Sequence, residues 1–313
     1  MFLPASTQQQ EMIDLITRLA PHEGYTRTRL ESVRLMRADR PLGRTPVLYE
    51  PSIVIVCQGS KRGFVADREF FYDARHYLVL SVPLPFSTET IASPETPLLA
   101  ISVRLNMTAI ADLVLEVDRQ ARGEMAAPMG IVSTPLDGAL ADTALRLLRA
   151  LTDPLDARVL GPGIVRELCF RVLTGVQGGA IRAALASHGS FGRIARALKR
   201  IHDAYAQTLD VSLLAGEVGM SIPTFHLHFK TVTGTSPVQY LKSVRLHQAR
   251  LLMIRDNLTA AAAAARVGYE STSQFNREFK RTFGRTPGEE AREMKMLFAL
   301  MPVAQLENIA ANH

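Results

Sequence analysis

Residues 191–295 carry one pattern twice, and that repeat limits the fold more than any other feature of the chain. The stretch Leu213-Leu214-Ala215-Gly216-Glu217-Val218-Gly219-Met220-Ser221 lines up with Ala262-Ala263-Ala264-Ala265-Arg266-Val267-Gly268-Tyr269-Glu270-Ser271. In each copy a small residue, Ala215 or Ala264, stands four residues before a glycine, Gly219 or Gly268, and a serine follows. Beyond the serine, Phe225 and Phe229 match Phe275 and Phe279. Lys230 matches Lys280, Gly234 matches Gly284 and Pro237 matches Pro287. The register slips by one residue at the turn only, where a loop absorbs it.

The chemistry of each copy is that of a helix-turn-helix. Two helices that cross steeply need a small residue where their backbones approach, here Ala215 and Ala264. The tight turn needs positive φ, which glycine tolerates, here Gly219 and Gly268. Ser221 and Ser271 are suited to cap the second helix, and Gln274 three residues after Ser271 predicts a capping box. Pro223 falls in the first turn, where its missing N–H is harmless. Phe225, Phe229, Phe275, Phe279 and Phe283 mark the buried faces. Between the copies, Pro237–Ile254 reads as one helix of about 27 Å. That length suits two reading helices held about one turn of DNA apart, ~34 Å.

Charge follows the same division. The chain has 313 residues and a net charge of +6. Residues 191–295 hold 16 Lys+Arg against 9 Asp+Glu, and the remainder holds 20 against 21. A basic module attached to a neutral one predicts contact with a polyanion through the C-terminal third alone.

The first half changes character. Residues 6–19 place Met12, Ile13, Leu15, Ile16 and Leu19 at helical spacing. From Tyr25 to Asn106 come short runs rich in Val, Ile, Tyr and Phe: 26–37, 52–58, 62–66, 69–72, 76–82, 87–91 and 98–105. They are broken by Gly59-Ser60, Ala66-Asp67, Asp73-Ala74 and prolines at 83, 85, 94 and 97. Many short strands predict a sandwich or small barrel. Residues 108–119, 136–151 and 164–174 read as helices. Leu140, Ala144, Leu147, Leu148 and Leu151 form a stripe, expected to serve as core and as a dimer seam. Ser187-His188-Gly189-Ser190 marks the expected boundary before the last domain. The runs Ser52–Cys57 and Tyr77–Val82 are too short to span a bilayer, and MFLPASTQQQEM lacks the basic start and apolar core of a secretion signal. Two cysteines make no disulfide scaffold and fit a reducing compartment. The expectation is a cytoplasmic protein that does not enter a membrane.

The run Met220-Ser221…Phe225-His226…Phe229-Lys230…Gly234-Thr235-Ser236-Pro237…Tyr240-Leu241…Arg245-Leu246…Ala249…Leu251-Leu252, continued by Ala264…Val267-Gly268-Tyr269-Glu270-Ser271…Gln274-Phe275-Asn276-Arg277-Glu278-Phe279-Lys280…Phe283-Gly284…Thr286-Pro287, closely resembles the DNA-binding domain of the AraC/XylS family of bacterial transcription regulators. Residues 51–61, 72–78 and 166–175 are similar to the cupin-type sensor half of one subgroup of that family. The resemblance implies an α+β chain of two domains. Residues 1–185 form a cupin-like β-barrel sensor and dimerisation domain, β-rich over 25–106 and helical over 107–180. Residues 191–295 form an all-α domain with two helix-turn-helix units, and 296–313 form a tail. It also implies double-stranded DNA and RNA polymerase as partners, a small-molecule effector of unstated identity, and a homodimer.

In the family the second helix of each unit enters the major groove, so side chains opposite the phenylalanines should face bases. These are Pro223, Thr224, His226 and Leu227 in the first unit and Thr272, Ser273, Asn276 and Arg277 in the second. Arg277 is suited to guanine O6 and N7, and Asn276 to adenine N6 and N7. Family members often carry arginine at the place of Leu227, so the first helix lacks that reader. Lys230, Lys280, Arg281 and Arg285 suit phosphate contacts. In the sensor half, Tyr49, Gln58, His76, Tyr77 and Arg104 lie in strand-like segments and are the candidate effector-pocket residues. Its histidines, His22, His76 and His188, include no His-x-His pair, so no metal, cofactor or catalytic residue is expected. Cys57 and Cys169 read as packing. The competing reading is an enzyme fused to a DNA-binding module. A cysteine-dependent DNA-repair protein needs an activated cysteine that Glu167-Leu168-Cys169-Phe170 does not offer. A glutamine-amidotransferase-like domain needs alternating βαβ units, and a cupin oxygenase needs more histidines.

Overall fold

The computed structural model describes residues 7–117, 130–176, 178–185 and 189–299. Helix α1 (Thr7–Leu19) precedes nine strands: β1 (Gly24–Arg27), β2 (Val33–Ala38), β3 (Leu42–Tyr49), β4 (Ser52–Gln58), β5 (Ser60–Val65), β6 (Arg68–Asp73), β7 (His76–Leu80), β8 (Leu84–Ile91) and β9 (Leu98–Arg104). After α2 (Met107–Val117) and β10 (Ile131–Pro135) the chain is helical: α3 (Gly138–Thr152), α4 (Pro154–Val159), α5 (Gly161–Thr174), α6 (Gly178–Leu185) and α7 (Ser190–Ala204). The repeat follows as α8 (Val211–Glu217), α9 (Ile222–Thr233), α10 (Pro237–Arg255), α11 (Ala260–Arg266), α12 (Thr272–Phe283) and α13 (Pro287–Ala299). Residues 187–188 of the expected boundary and 300–313 of the expected tail lie outside the described residues.

The strands build two antiparallel sheets, β1-β2-β9-β4-β7-β10 and β3-β8-β5-β6. The expected cupin-like barrel is therefore an open pair of sheets, not a ring closed by hydrogen bonds. Between them lies a core of Tyr49, Val54, Val56, Leu78, Leu80 and Phe86. The outer face of the six-stranded sheet is covered too. Ile53, Ile55, Cys57 and Val79 meet Ile16 of α1, Leu147 of α3 and Leu168 of α5. A sheet buried on both faces needs continuous apolar strands, which accounts for the unbroken Ile53–Cys57 run.

Two strands fall where none is expected. β3 carries Pro46, Gly43 and Arg44 and is an edge strand, where an unpaired N–H is dispensable. β10 is the other sheet's edge, pairs with β7, and lies inside the segment read as helical. The run 26–37 is two strands, β1 and β2, joined by a turn. The leucine stripe is core only. Leu140, Ala144, Leu147, Leu148 and Leu151 are all buried under α1 and α5, so they present no seam to a second chain.

Each helix-turn-helix has its own core. Phe225 and Phe229 pack with Ile194, Leu214 and Val244, and Phe275 and Phe279 pack with Ala263, Val267 and Leu246. Helix α10 supplies both, holding Tyr240 and Val244 in the first and Leu246, Ala249 and Met253 in the second. Its 19 residues give about 28 Å.

The two halves touch directly. Val82 of the sensor side joins the first unit's core. Tyr240 Oη donates to the Pro83 carbonyl at 2.7 Å and lies 2.9 Å from His202 Nε2. Burial pushes that imidazole down to about 4, so it is neutral at pH 7. The Gly130 amide donates to the Val232 carbonyl at 3.2 Å.

The β5–β6 turn presses on the C-cap of α9. Gly234 and its repeat mate Gly284 share a left-handed cap, at φ 73° and 79°. A β-carbon on Gly234 would lie 2.7 Å from Val65 Cγ1 and 3.3 Å from Ala66 Cβ, whereas one on Gly284 meets nothing within 4 Å. Gly284→Ala therefore lowers stability by ~1 kcal/mol of backbone strain. Gly234→Ala lowers it by a further ~1–3 kcal/mol through overpacking. Urea unfolding of both full-length variants checks this, and equal losses would show that the turn does not press on residue 234.

Candidate nucleic-acid interface

The two reading helices are built alike. Gly219 and Gly268 make the turns at φ 67° and 86°. Ser221 Oγ accepts from the Thr224 amide and Ser271 Oγ from the Gln274 amide. The expected capping box does not close, because Gln274 Nε2 turns outward and donates to Glu278 at 3.1 Å. Phe225 and Phe229 lie 5.4 Å apart between ring centres, and Phe275 and Phe279 lie 5.5 Å apart. Both pairs are fully buried. The i, i+4 spacing puts each pair on the inner face and commits the opposite face to solvent.

All ten expected DNA-facing residues are exposed: Thr224, His226, Leu227 and Lys230 on α9, and Thr272, Ser273, Asn276, Arg277, Lys280 and Arg281 on α12. Pro223 is exposed beside them. Leu227 is 66% exposed, which is unusual for a leucine on a packed helix. The Thr224 hydroxyl is engaged by Ser221 Oγ at 2.8 Å. Among the described residues Asn276, Arg277, Lys280 and Arg281 have no side-chain hydrogen bond or ion pair. Arg285 differs, since its guanidinium pairs with Glu290 and with Glu293. Part of its guanidinium is therefore already engaged by acids, unlike Lys280 and Arg281.

Several residues brace these helices through contacts that the sequence did not assign to them. Arg193 of α7 donates to the Gly219 carbonyl at 2.9 Å. Arg245 of α10 donates to the carbonyls of Gly268, Tyr205 and Gln207 at 3.0, 2.8 and 2.9 Å. Each turn glycine is thus pinned by one arginine from outside its own unit. Glu278, on the flank of α12, accepts from Lys242 Nζ and Tyr269 Oη, both at 2.7 Å. Burial opposes its ionisation, but these hydrogen bonds outweigh it and hold the carboxyl below the usual range. His228, at the equivalent place on α9, is half-buried beside Arg193 and Ser221. No local periodicity marks these residues, because most of their partners lie in turns and helices distant along the chain.

The five candidate effector residues do not converge. Tyr49 points between the sheets, where it shares a small hollow with Arg104. Tyr77 points the other way, into the helix-covered core. Gln58 Nε2 donates to the Pro97 carbonyl, His76 pairs with Asp73 at 2.7 Å, and Arg104 pairs with Glu31 at 2.9 Å. The reason is the two-residue period of a strand, which divides neighbours between opposite faces. Burial pushes the Cys57 thiol up to about 12 and the Cys169 thiol up to about 11. That is the opposite of an activated nucleophile.

Comparison with known proteins adds to this geometry. Residues 29–180 match the family model of the AraC-type transcriptional regulator N-terminus, and residues 214–293 match that of a helix-turn-helix domain. The chain belongs to the AraC/XylS family of transcription regulators. Similar relatives include the RCS-specific activator RclR of Escherichia coli, 38% identical over 87 residues, which is 28% of this chain and 31% of RclR. The virulence regulon activator VirF of Yersinia enterocolitica is 30% identical over 125 residues, 40% of this chain and 46% of VirF. The chain thus spans less than half the length of these curated relatives. The crystal structure of unsaturated fatty acid bound ToxT from Vibrio cholerae superposes with a TM-score of 0.56 over 88% of this chain and 98% of ToxT, at 12% identity. At that identity the likeness is one of fold, and it extends over both halves of this AraC-type chain. Among the described residues no helix is long and apolar enough to cross a membrane.

Proposed function

We propose that this chain is a sequence-specific, double-stranded-DNA-binding transcription regulator without catalytic activity, acting in the cytoplasm. Residues 191–295 grip DNA with α9 and α12 in neighbouring major grooves, and residues 1–185 tune that grip in response to a small-molecule effector. The observation that carries the reading is the pair of outward helix faces, each exposed and backed by an equivalent pair of buried phenylalanines, with Asn276, Arg277, Lys280 and Arg281 free of internal hydrogen bonds or ion pairs among the described residues. Family membership supports RNA polymerase as a second partner. A homodimer through residues 136–174 would have to use the outward-facing Leu155, Val159 and Phe170, which are exposed.

The two helices divide the work unequally. On α12, Arg277 and Asn276 read base edges while Lys280 and Arg281 hold phosphates. On α9, His226 and Leu227 offer a short polar group and a methyl contact, with Lys230 on the backbone, so the first half-site is read more loosely. Selection of bound sequences from random duplexes tests this. Arg277→Ala relaxes preference at one position at a cost of ~1–3 kcal/mol, with the other positions unchanged. Unchanged preference at every position would contradict the assignment of α12 as a reader. Affinity falls with added salt as phosphate contacts release counterions.

A further inference from the structure

Helix α10 links two separate cores, and Arg245 stands where one gives way to the other. Val244 before it is buried in the first core, and Leu246 after it in the second. Its guanidinium carries one hydrogen bond on each nitrogen. Nε donates to the Tyr205 carbonyl at 2.8 Å, Nη2 to the Gln207 carbonyl at 2.9 Å and Nη1 to the Gly268 carbonyl at 3.0 Å. Tyr205 caps the C-terminus of α7, whose Ile194, Leu198 and Ile201 belong to the first core, and Gln207 follows it. Gly268 is the left-handed turn of the second unit. One planar group therefore ties the first core to the turn that launches α12.

The two units approach closely at that point. A β-carbon on Gly268 would lie 2.5 Å from the Ala206 carbonyl oxygen and 3.2 Å from Arg245 Nη2. One on its repeat mate Gly219 meets nothing nearer than Arg193 Nη1 at 3.9 Å. Tyr205 packs against both cores. Lys242, three residues earlier on α10, donates to Glu278 of α12 at 2.7 Å. A rod by itself fixes how far apart two bodies sit along its length. It leaves their rotation about the rod to contacts at its sides. That rotation matters on a duplex, where one extra base pair moves a half-site by about 3.4 Å and turns it by about 35°.

We propose that Arg245 is a positioning residue that sets the spacing of the two half-sites, by holding α12 at one angle to α9 through the carbonyls of Tyr205, Gln207 and Gly268. Lysine cannot replace it, because an ammonium is a point charge without the fork that spans three carbonyls. The inference rests on the proposed reading of DNA by α9 and α12, and one arm of its test is made without DNA.

In that arm the full chain carries Thr231→Cys and Arg281→Cys, at equivalent exposed positions of α9 and α12, each labelled with a nitroxide. The native thiols of Cys57 and Cys169 are buried. Pulsed electron paramagnetic resonance reads the distance between the labels. The parent gives one narrow distribution, and Arg245→Lys broadens it about twofold with helix content by circular dichroism unchanged. In the second arm the unlabelled chain binds a duplex of about 30 base pairs, three helical turns, recovered by selection from random sequence. Parent affinity falls about tenfold or more when one base pair is inserted between the half-sites. Arg245→Lys cuts that ratio to about threefold or less and keeps the base preferences within each half-site. Arg193→Met, whose contact joins Gly219 to α7 inside the first core, leaves the ratio as in the parent. A ratio measured on one preparation does not depend on the fraction folded. An unbroadened distribution, a parent indifferent to spacing, or an equal effect of Arg193→Met overturns the proposal. So does loss of helix content in Arg245→Lys, which would make its role one of folding. If the parent selects no preferred sequence, the reading of DNA fails instead, and the distance arm still decides whether Arg245 fixes the two helices.

Discussion

Glu290→Gln lowers the folding stability of the full chain by about 3–5 kcal/mol, the loss typical of breaking a buried ion pair from one side. Arg250 and Glu290 are 3% and 4% exposed, and Arg250 Nε donates to Glu290 Oε1 at 2.6 Å. The second carboxylate oxygen takes Arg285 Nε at 3.2 Å. A neutral amide keeps the shape and leaves two guanidinium groups facing one another, one of them sealed from water. The pair also fastens α13 to α10, so the same change frees the last helix. Urea unfolding monitored by circular dichroism reads the effect. The double replacement Arg250→Met with Glu290→Leu is expected to lose less than Glu290→Gln alone, because it leaves no unpaired charge. A single-variant loss below about 1 kcal/mol would mean that water reaches this pair.

Phe229→Ala and Phe279→Ala each remove a ring that is fully buried, and each lowers stability by about 3–5 kcal/mol. Their consequences differ in extent. Phe279 sits in a core whose buried members come from the second unit and α10, with Tyr205 and Ala291 packed at its margin, so its loss loosens α11 and α12 and leaves the first unit folded. Phe229 touches Tyr240 edge-on at 5.4 Å and shares its core with Val82 of the sensor side. Its loss therefore reaches the domain contact made by Tyr240 and Pro83. Amide exchange separates the two. Phe279→Ala loses protection over 260–283 alone, and Phe229→Ala loses it over 211–233 and at the β7–β8 connection. Identical exchange maps would show that the two units unfold as one body.

The repeated domain is legible in the sequence because its signals are local. Gly219 and Gly268 require left-handed backbone, Ser221 and Ser271 cap the helix that follows, and phenylalanines at i and i+4 name the inward face. All of these lie within some twenty residues of chain. The strands were legible where burial on both faces made them uniformly apolar, as in β4. Two of the four edge strands were not legible, β3, which tolerates Pro46, and β10, which is only five residues long. The leucine stripe of α3 marked a buried face correctly, but the dimer seam expected of it is filled by α1 and α5 of the same chain.

The sequence by itself determined the two helical hairpins, their buried and bare faces, and the concentration of positive charge around them, because each depends on neighbours a few positions away. Only the tertiary structure decided that Tyr49 and Tyr77 face opposite sides of the sheet wall, that Arg285 is tied to acids, and that Arg245 joins Tyr205 to Gly268. Those outcomes depend on strand pairing and helix packing between segments far apart along the chain. No pattern of spacing records which of two faces a distant element will cover.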